Sequence, residues 1–196
     1  MVVSSDHAAL ENQKTTGAYQ ICVTINNKMI ISKRAQDLKQ VLMQGSELQV
    51  KEPYTMIVDK EQVIFAIYPG VNGIEFNKTE GYFNAYPGAQ VYQCLYGQGV
   101  LIMQRNDEVG EAKEFKVVTL SSGRQVGVPA GWAMCLVNIG KNFLVVVGNV
   151  NIASKDINSK AILAKHGLAY YIVEKKGEVG FEQNSNYNIH PQITTE

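Results

Sequence analysis

The stretch Pro129-Ala130-Gly131-Trp132-Ala133-Met134-Cys135-Leu136-Val137-Asn138 decides the fold of this chain. Its first four residues have the composition of a tight turn, because proline restricts one backbone angle and glycine accepts the left-handed region. The apolar residues after the turn indicate a buried strand, and Asn138 is expected to bond the backbone of the next turn. Trp132 is the only tryptophan, and we interpret it as a structural side chain of the first turn.

Short β-rich segments continue on both sides of this stretch. The residues predicted to form strands are 19–25, 29–32, 63–68, 91–95, 99–104, 115–120, 125–128, 135–139, 143–147 and 169–173. Turn sequences such as Pro-Gly, Gly-x-Gly and Ser-Ser-Gly separate them. Many short strands at near-regular spacing predict a mainly all-β fold, with the strands in an antiparallel barrel or sandwich.

Two short helices are predicted within this β-rich pattern. Apolar residues recur at helical spacing over residues 33–43, where Ser32 is a candidate cap and Gly45 a candidate end. A weaker helical pattern over residues 159–166 ends at Gly167. The sequence therefore places one helix before the main run of strands and one near its end.

The domain organisation follows from length and composition. Residues 1–17 are polar and mixed, which predicts a flexible N-terminal arm, and residues 18–182 are predicted to form a single domain. Within that domain, residues 18–54 are a strand and helix extension and residues 55–175 are the barrel core. The polar tail, residues 183–196, is rich in Asn and Gln, and we expect it to be only partly ordered.

Composition excludes several classes of function. The chain has 18 basic and 18 acidic residues and no basic run, which disfavours nucleic-acid binding. No apolar run approaches the roughly 20 residues that span a bilayer, and the N-terminus lacks a signal-type apolar core. Cys22, Cys94 and Cys135 lie in apolar segments, which indicates reduced, buried thiols of a cytoplasmic protein. The three histidines are scattered and form no pair with metal-ligand spacing.

A second group of motifs lies upstream of the first stretch. Gly81-Tyr82-Phe83-Asn84 precedes Gln90-Val91-Tyr92 and Gly97-Gln98-Gly99, and Tyr68-Pro69-Gly70, Glu75-Phe76 and Thr79-Glu80-Gly81 come before them. Together with residues 129–138, this arrangement resembles the cupin-type (archaeal-type) glucose-6-phosphate isomerases over roughly residues 55–175. The resemblance implies a single cupin domain, a jelly-roll double-stranded β-barrel with N-terminal strands. It also implies descent from enzymes that interconvert glucose 6-phosphate and fructose 6-phosphate.

The resemblance also assigns four metal-ligand positions, which are three histidines and a glutamate in the family. Here they are Tyr82, Asn84, Gln90 and Met134. These side chains cannot jointly replace three imidazoles and a carboxylate, because a divalent first-row ion needs charge or strong nitrogen donors. We therefore expect no metal and no cofactor. The Gln90 amide also cannot accept the proton that a carboxylate base would remove from a sugar carbon.

Parts of the family's ligand pocket are retained. The resemblance implies that Thr79 and Gly81 contact a phosphate and that Tyr92 lines the sugar pocket, although each also has an ordinary structural reading. Lys155 falls near a basic family position and is otherwise a surface lysine, and Lys33 and Arg34 could reach the barrel mouth. The predicted ligand-binding residues are Thr79, Gly81, Tyr82, Asn84, Gln90, Tyr92, Met134 and Lys155.

Three functional hypotheses follow from these residues. The favoured one is a degenerate family member that binds a sugar phosphate or a similar polar small molecule without catalysis. The second is an active isomerase with a divergent site, for which Glu75 or Glu80 would be the candidate base. The third is a structural or partner-binding protein, and a homodimer formed through edge strands is expected in any of the three cases.

Overall fold

A computed structural model describes residues 21–25, 28–59, 61–150 and 157–196. Its strands are β1 (Ile21–Ile25), β2 (Lys28–Lys33), β3 (Tyr54–Val58), β4 (Val63–Ile67), β5 (Val71–Asn72), β6 (Glu75–Phe76), β7 (Tyr82–Asn84), β8 (Gln90–Tyr96), β9 (Gln98–Asn106), β10 (Ala112–Ser121), β11 (Gln125–Val128), β12 (Ala133–Asn138), β13 (Leu144–Gly148), β14 (Ile157–Asn158), β15 (Tyr170–Lys175), β16 (Glu178–Gln183) and β17 (Ile193–Thr195). The helices are α1 (Ala35–Leu38), which a 3-10 turn (Lys39–Val41) extends, and α2 (Lys160–Ala164). The predicted arm, residues 1–17, lies outside the described residues.

The strands form two large sheets and one small one. The first sheet has the order β1-β2-β3-β4-β13-β8-β11, the second β14-β7-β12-β9-β10-β17, and the third β16-β15-β6-β5. From β4 to β13, the chain moves between the four strands β4-β13-β8-β11 of the first sheet and the four strands β7-β12-β9-β10 of the second. It stays in one sheet only at the antiparallel pair β9 and β10. This strand order is that of a jelly roll, so the predicted mainly all-β barrel is confirmed.

Buried asparagines join the two large sheets. Asn84 of β7 donates to the Val128 carbonyl of β11 at 3.0 Å, and Asn138 of β12 donates to the Ile67 carbonyl of β4 at 2.9 Å. The Asn138 side-chain oxygen also accepts the Gly140 N–H at 2.9 Å. The predicted role of Asn138 in the turn after β12 is therefore confirmed, and the same amide also fixes the separation of the sheets.

The turn at residues 129–132 has the predicted geometry. Trp132 N–H donates to the Pro129 carbonyl at 3.3 Å, and Gly131 has a φ of 76°. A positive φ at the third residue is what a type II turn requires, and glycine adopts it without steric cost. Gly131 N–H also donates to the Asn84 carbonyl at 2.7 Å, which binds the turn to the end of β7.

The first helix is shorter than predicted. It begins at Ala35, because Arg34 is the N-cap and its N–H donates to Asp37 Oδ2 at 2.8 Å. Ser32 is not the cap: it lies in β2, which pairs with β3, and its hydroxyl bonds Thr55. Strand pairing thus competes successfully with the helical pattern at Lys33, and Arg34 becomes the N-cap. The second predicted helix matches α2, whose end is followed by Gly167 with a φ of 114°.

The tail is more ordered than its composition suggests. β17 extends the second sheet in parallel with β10, and Asn184 is buried and donates to the Leu168 carbonyl at 2.9 Å. The Glu111 carboxylate also anchors the tail. It accepts hydrogen bonds from Lys165 Nζ and from the Asn188 N–H, each at 2.7 Å. The polar side chains of the tail serve as backbone partners, which composition alone cannot reveal.

No helix in the described parts of the chain combines the length and apolar content needed to cross a membrane. Cys94 and Cys135 are free and buried, as predicted, whereas the side chain of Cys22 lies outside the described part of the structure. The core between the sheets is built from the inward residues of the alternating strands, and most of its largest fully buried side chains are aliphatic.

Glu111 makes the attachment of the tail sensitive to acid. Lys165 first, and then the N–H groups of Asn188 and Ile189, lower the pKa of Glu111 from 4.5 to about 2. The carboxylate therefore stabilises the folded state above pH 4.5, and this contribution is lost as the pH falls towards about 2.

We expect Glu111→Gln to lower the free energy of unfolding at pH 7, with the difference from wild type shrinking between pH 4.5 and 2. Urea unfolding across this range measures it, with the exposed Glu108→Gln as the control; a difference independent of pH would contradict the expectation.

Candidate ligand site in the barrel interior

The structure brings four of the predicted residues together between the sheets. Tyr82 of β7 and Met134 of β12 are direct register partners, so their side chains share one face. Across the interior, the Tyr82 hydroxyl bonds the hydroxyl of Tyr92 on β8. Tyr92 in turn donates to Gln90 Oε1 at 3.1 Å. All four side chains are buried, and the three polar ones form one hydrogen-bonded chain across the barrel.

Asn84 lies in the same barrel, but its amide is engaged in the protein. Its nitrogen donates to the carbonyls of Gly88 and Val128, both at 3.0 Å, and its oxygen accepts the Tyr86 N–H at 3.0 Å. These bonds use both amide protons and hold the loop between β7 and β8. The side chain at this position therefore has a structural role.

The interior is electrically neutral. Burial raises the pKa of the Tyr82 phenol, and the hydrogen bond with Tyr92 offsets only part of that rise. Burial and the neighbouring Tyr82 hydroxyl raise the pKa of Tyr92 well above its usual value. Both phenols therefore stay protonated at neutral pH.

These donors do not fit the divalent metal that the resemblance implies. The set consists of two protonated phenols, one glutamine, one engaged asparagine amide and the Met134 thioether, and none of them carries charge. First-row divalent ions in proteins are held by thiolates, imidazoles and carboxylates. In the described ranges, no group of three or more His, Cys, Asp or Glu side chains could hold a metal ion.

A glycine makes room for the Tyr92 ring. Gly148 of β13 pairs with Tyr92 in the sheet. A Cβ atom at Gly148 would lie 2.7 Å from Tyr92 Cε1 and 3.0 Å from Cδ1. The ring lies over this glycine while its hydroxyl is held from the other side, so its position is tightly constrained.

Thr79 and Gly81, the predicted phosphate contacts, lie against β12 beside Met134. Thr79 is buried, and its hydroxyl accepts the Leu136 N–H at 3.0 Å. Gly81 has a φ of 82°, and a Cβ there would lie 2.9 Å from the Met134 carbonyl. Both residues thus have structural partners, and their contact with a phosphate stays a prediction.

The two candidate bases occupy different environments. Glu75 is fully buried, where it pairs with Lys78 at 2.6 Å and accepts the Met43 N–H at 2.6 Å. Glu80 is about one-fifth exposed and pairs with Lys33 at 3.2 Å. Only Glu80 is therefore accessible to a solute. Lys155 lies outside the described residues.

A cavity of about 220 Å³ beside this interior escaped sequence reasoning. It opens between β10 and β11, and its polar lining comes from Lys116, Arg124, Gln125, Trp132 and Glu196. These residues come from four separate segments of the chain. The single tryptophan was the one available signal, but its position in the turn suggested a structural role alone.

Comparison with known proteins identifies the family. The model of the glucose-6-phosphate isomerase (GPI) family matches residues 55–190. The glucose-6-phosphate isomerase of Pyrococcus furiosus is 32% identical over 123 residues, which are 62% of this chain and 61% of that protein. The Thermococcus kodakarensis enzyme is 31% identical over the same shares of each chain. The match thus spans about three-fifths of the length of these relatives.

The solved structures that resemble this chain are less similar to it in sequence than these enzymes are. The cupin domain of Drosophila melanogaster CENP-C is 9% identical with a TM-score of 0.38, and the match covers 71% of this chain and 84% of that one. The capsular polysaccharide assembling protein CapF of Staphylococcus aureus is 11% identical with a TM-score of 0.40, over 73% of this chain and 32% of that one. The fold assignment rests on the strand order described above.

Removing the Tyr92 hydroxyl should destabilise the barrel more than removing that of Tyr82. Tyr92→Phe takes away the partner of both the Tyr82 hydroxyl and the Gln90 carbonyl, and each buried group left unpaired costs about 1–3 kcal/mol. Tyr82→Phe leaves the bond between Tyr92 and Gln90 intact, so we expect a loss of about 1 kcal/mol. Chemical denaturation measures both, with the exposed Tyr86→Phe as control. Equal losses for Tyr82→Phe and Tyr92→Phe would argue against the hydrogen-bonded chain.

A side chain at position 148 should be poorly tolerated. Gly148→Ala places a methyl group within 2.7 Å of the Tyr92 ring, and overpacking of this kind costs about 1–3 kcal/mol. Gly127→Ala in β11 is the matched control, because nothing lies within 4 Å of its Cβ position. We expect this control to change stability by no more than about 0.5 kcal/mol. The two melting temperatures test the expectation, and similar values would contradict it.

Proposed function

Because the chain belongs to the glucose-6-phosphate isomerase family, we propose that it is a degenerate member. In this proposal it binds a sugar phosphate or a similar polar small molecule without metal-dependent catalysis. One observation carries the proposal: the positions of the family's metal ligands hold uncharged side chains, three of which bond within the protein. These are Tyr82, Asn84 and Gln90.

The chemistry of isomerisation supports the loss of catalysis. Moving hydrogen between two adjacent sugar carbons needs either a base near those carbons or a metal that polarises the two oxygens. The Gln90 amide cannot accept the proton, and the protonated Tyr82 and Tyr92 are not bases at neutral pH. These uncharged side chains are bonded to one another, so the interior supplies neither the base nor the charge that turnover would need.

One observation favours an active isomerase as the second candidate. The Glu80 carboxylate is partly exposed and lies 3.2 Å from Lys33 Nζ, so the pair could exchange a proton with a bound sugar. Proton transfer by a positioned side chain typically contributes a rate factor of about 10²–10⁴. Glu80→Gln would abolish this activity, and Glu47→Gln, on an exposed residue, serves as its control.

The proposal includes a second copy of the chain as partner. The outer face of the first sheet exposes apolar side chains from two strands, including Ile57 of β3 and both Val91 and Leu95 of β8. The outward positions of these two described strands hold no charged side chain, so none of them opposes contact with an identical face. Light scattering should give the mass of a dimer, and a monomer at micromolar concentration would contradict this part.

Metal content and an isomerase assay test the loss of catalysis. We expect no stoichiometric divalent ion in the purified protein and no conversion of glucose 6-phosphate, with or without added divalent ions, because the interior offers neither charged ligands nor a base. A bound ion or metal-dependent turnover would refute the proposal. Metal-independent turnover that Glu80→Gln removes would favour the second candidate.

Thermal shift against a panel of sugar phosphates tests the binding itself. A ligand that binds only the folded state raises the melting temperature. At a concentration 100 times its Kd, it adds about 2.7 kcal/mol to the free energy of unfolding. We expect at least one sugar phosphate to do so, and the unphosphorylated sugars serve as controls. A panel without any stabilising compound would contradict the binding proposal.

A further inference from the structure

The cavity between β10 and β11 has an apolar floor and a charged rim. Met103, Val118 and Val126 are buried in its floor. Met103 pairs in register with Met134 on one side and with Lys116 on the other. The cavity therefore lies one strand away from the interior site, at the edge where β10 of the second sheet faces β11 of the first.

Two cations at the rim make no ion pair with another described residue. Within the described residues, neither Lys116 nor Arg124 has a carboxylate within ion-pair distance, whereas the nearby Arg105 pairs with Glu114. Lys116 Nζ lies 5.2 Å from the centre of the Trp132 ring. Among the side chains of the lining, these two cations are accompanied by one carboxylate, that of Glu196.

We propose that this cavity binds the anionic ligand of the protein, a monosaccharide that carries a phosphate. Lys116 and Arg124 bind the phosphate, and the sugar lies against the Trp132 ring. The proposal rests on the proposed function, from which it takes the class of ligand. In this proposal, Lys116 and Arg124 contact the phosphate in place of Thr79 and Gly81.

The chemistry of the lining matches such a ligand. A guanidinium donates paired hydrogen bonds to phosphate oxygens, and an ammonium adds a second positive charge. The part of the Trp132 indole that lines the cavity is rigid and apolar, while Gln125 and Glu196 can bond sugar hydroxyls. At about 220 Å³, the cavity is smaller than the roughly 300–1,000 Å³ of drug-sized sites, which suits a small metabolite.

The competing position at Thr79 is less available to a phosphate. The Thr79 hydroxyl already accepts the Leu136 N–H, and Thr79 N–H donates to the Leu136 carbonyl at 2.9 Å. A phosphate there would compete with bonds that join residue 79 to β12. No such bond engages the Lys116 ammonium or the Arg124 guanidinium within the described parts of the chain.

Tryptophan fluorescence tests the location directly, because Trp132 is the only tryptophan. The unmodified protein is titrated with glucose 6-phosphate, fructose 6-phosphate, inorganic phosphate and glucose. We expect a saturable change in emission with a sugar phosphate, a weaker one with inorganic phosphate, and none with glucose at the same concentrations. The affinity should also fall as salt is added, because the cations are partly exposed.

Charge variants then test the two cations. We expect the double variant Lys116→Gln, Arg124→Gln to bind the sugar phosphate at least about tenfold more weakly, since each charge-assisted hydrogen bond contributes that much or more. Lys113→Gln is the matched control, because Lys113 is exposed on the same strand and outside this cavity. Lys116→Arg keeps the charge and should retain binding, which separates lost recognition from a folding defect.

Calorimetry with the same ligands separates the inference from the function on which it rests. If a sugar phosphate binds but the double variant binds it equally well, or Trp132 emission does not respond, the cavity is not the site and the inference fails. The binding function then still stands, and Thr79→Ala would test the other position. If calorimetry detects no sugar phosphate on the unmodified protein, both proposals fail.

Discussion

The structure depends on one constraint: polar side chains buried between the two large sheets need hydrogen-bond partners within the barrel. A buried donor or acceptor without a partner costs about 1–3 kcal/mol, which is a large share of the stability of a domain this size. The barrel meets this constraint with Tyr82, Tyr92 and Gln90 as one chain of hydrogen bonds across the interior. Asn84 and Asn138 meet it by bonding carbonyl groups of the opposite sheet.

Backbone geometry imposes a second set of requirements, at the turns of the two motifs. Gly81 and Gly131 have positive φ values, and the close approach of Gly81 to the Met134 carbonyl leaves no space for a side chain. These requirements belong to the backbone and hold whatever the site does. At two of the positions that the resemblance assigns to metal ligands, Asn84 bonds the loop between β7 and β8, and Met134 lies buried beside Tyr82. The fold alone is therefore sufficient reason for both glycines.

A neutral interior shifts recognition of a charged ligand towards the edge of the barrel. A phosphate placed among the phenols of Tyr82 and Tyr92 would lose its hydration without meeting a positive charge, which is costly in a buried site. At the edge, partly exposed cations can contact the phosphate while water still reaches it. The cavity at Lys116 and Arg124 offers this arrangement with an aromatic side chain beside it.

The sequence by itself determined the class of fold, several element bounds and the chemistry of the interior. The strand at residues 125–128 and the turn at residues 129–132 follow from local patterns, because turn residues and strand alternation act over a few positions. The absence of charged donors at positions 82, 84, 90 and 134 is likewise a fact of residue identity. Local patterns misjudged the start of α1 and the order of the tail, since pairing with β3 and bonds to Glu111 decided those segments.

Only the tertiary structure decided which of these residues meet. The Asn84 amide donates a hydrogen bond to the carbonyl of Val128, which is 44 positions away in the sequence. Lys116, Arg124 and Trp132, which come from separate segments of the chain, line one cavity. The tertiary structure also showed that the Thr79 hydroxyl bonds β12. The physical reason is that such contacts are set by the register of strands from distant parts of the chain, and a change of one residue in register turns every side chain to the opposite face.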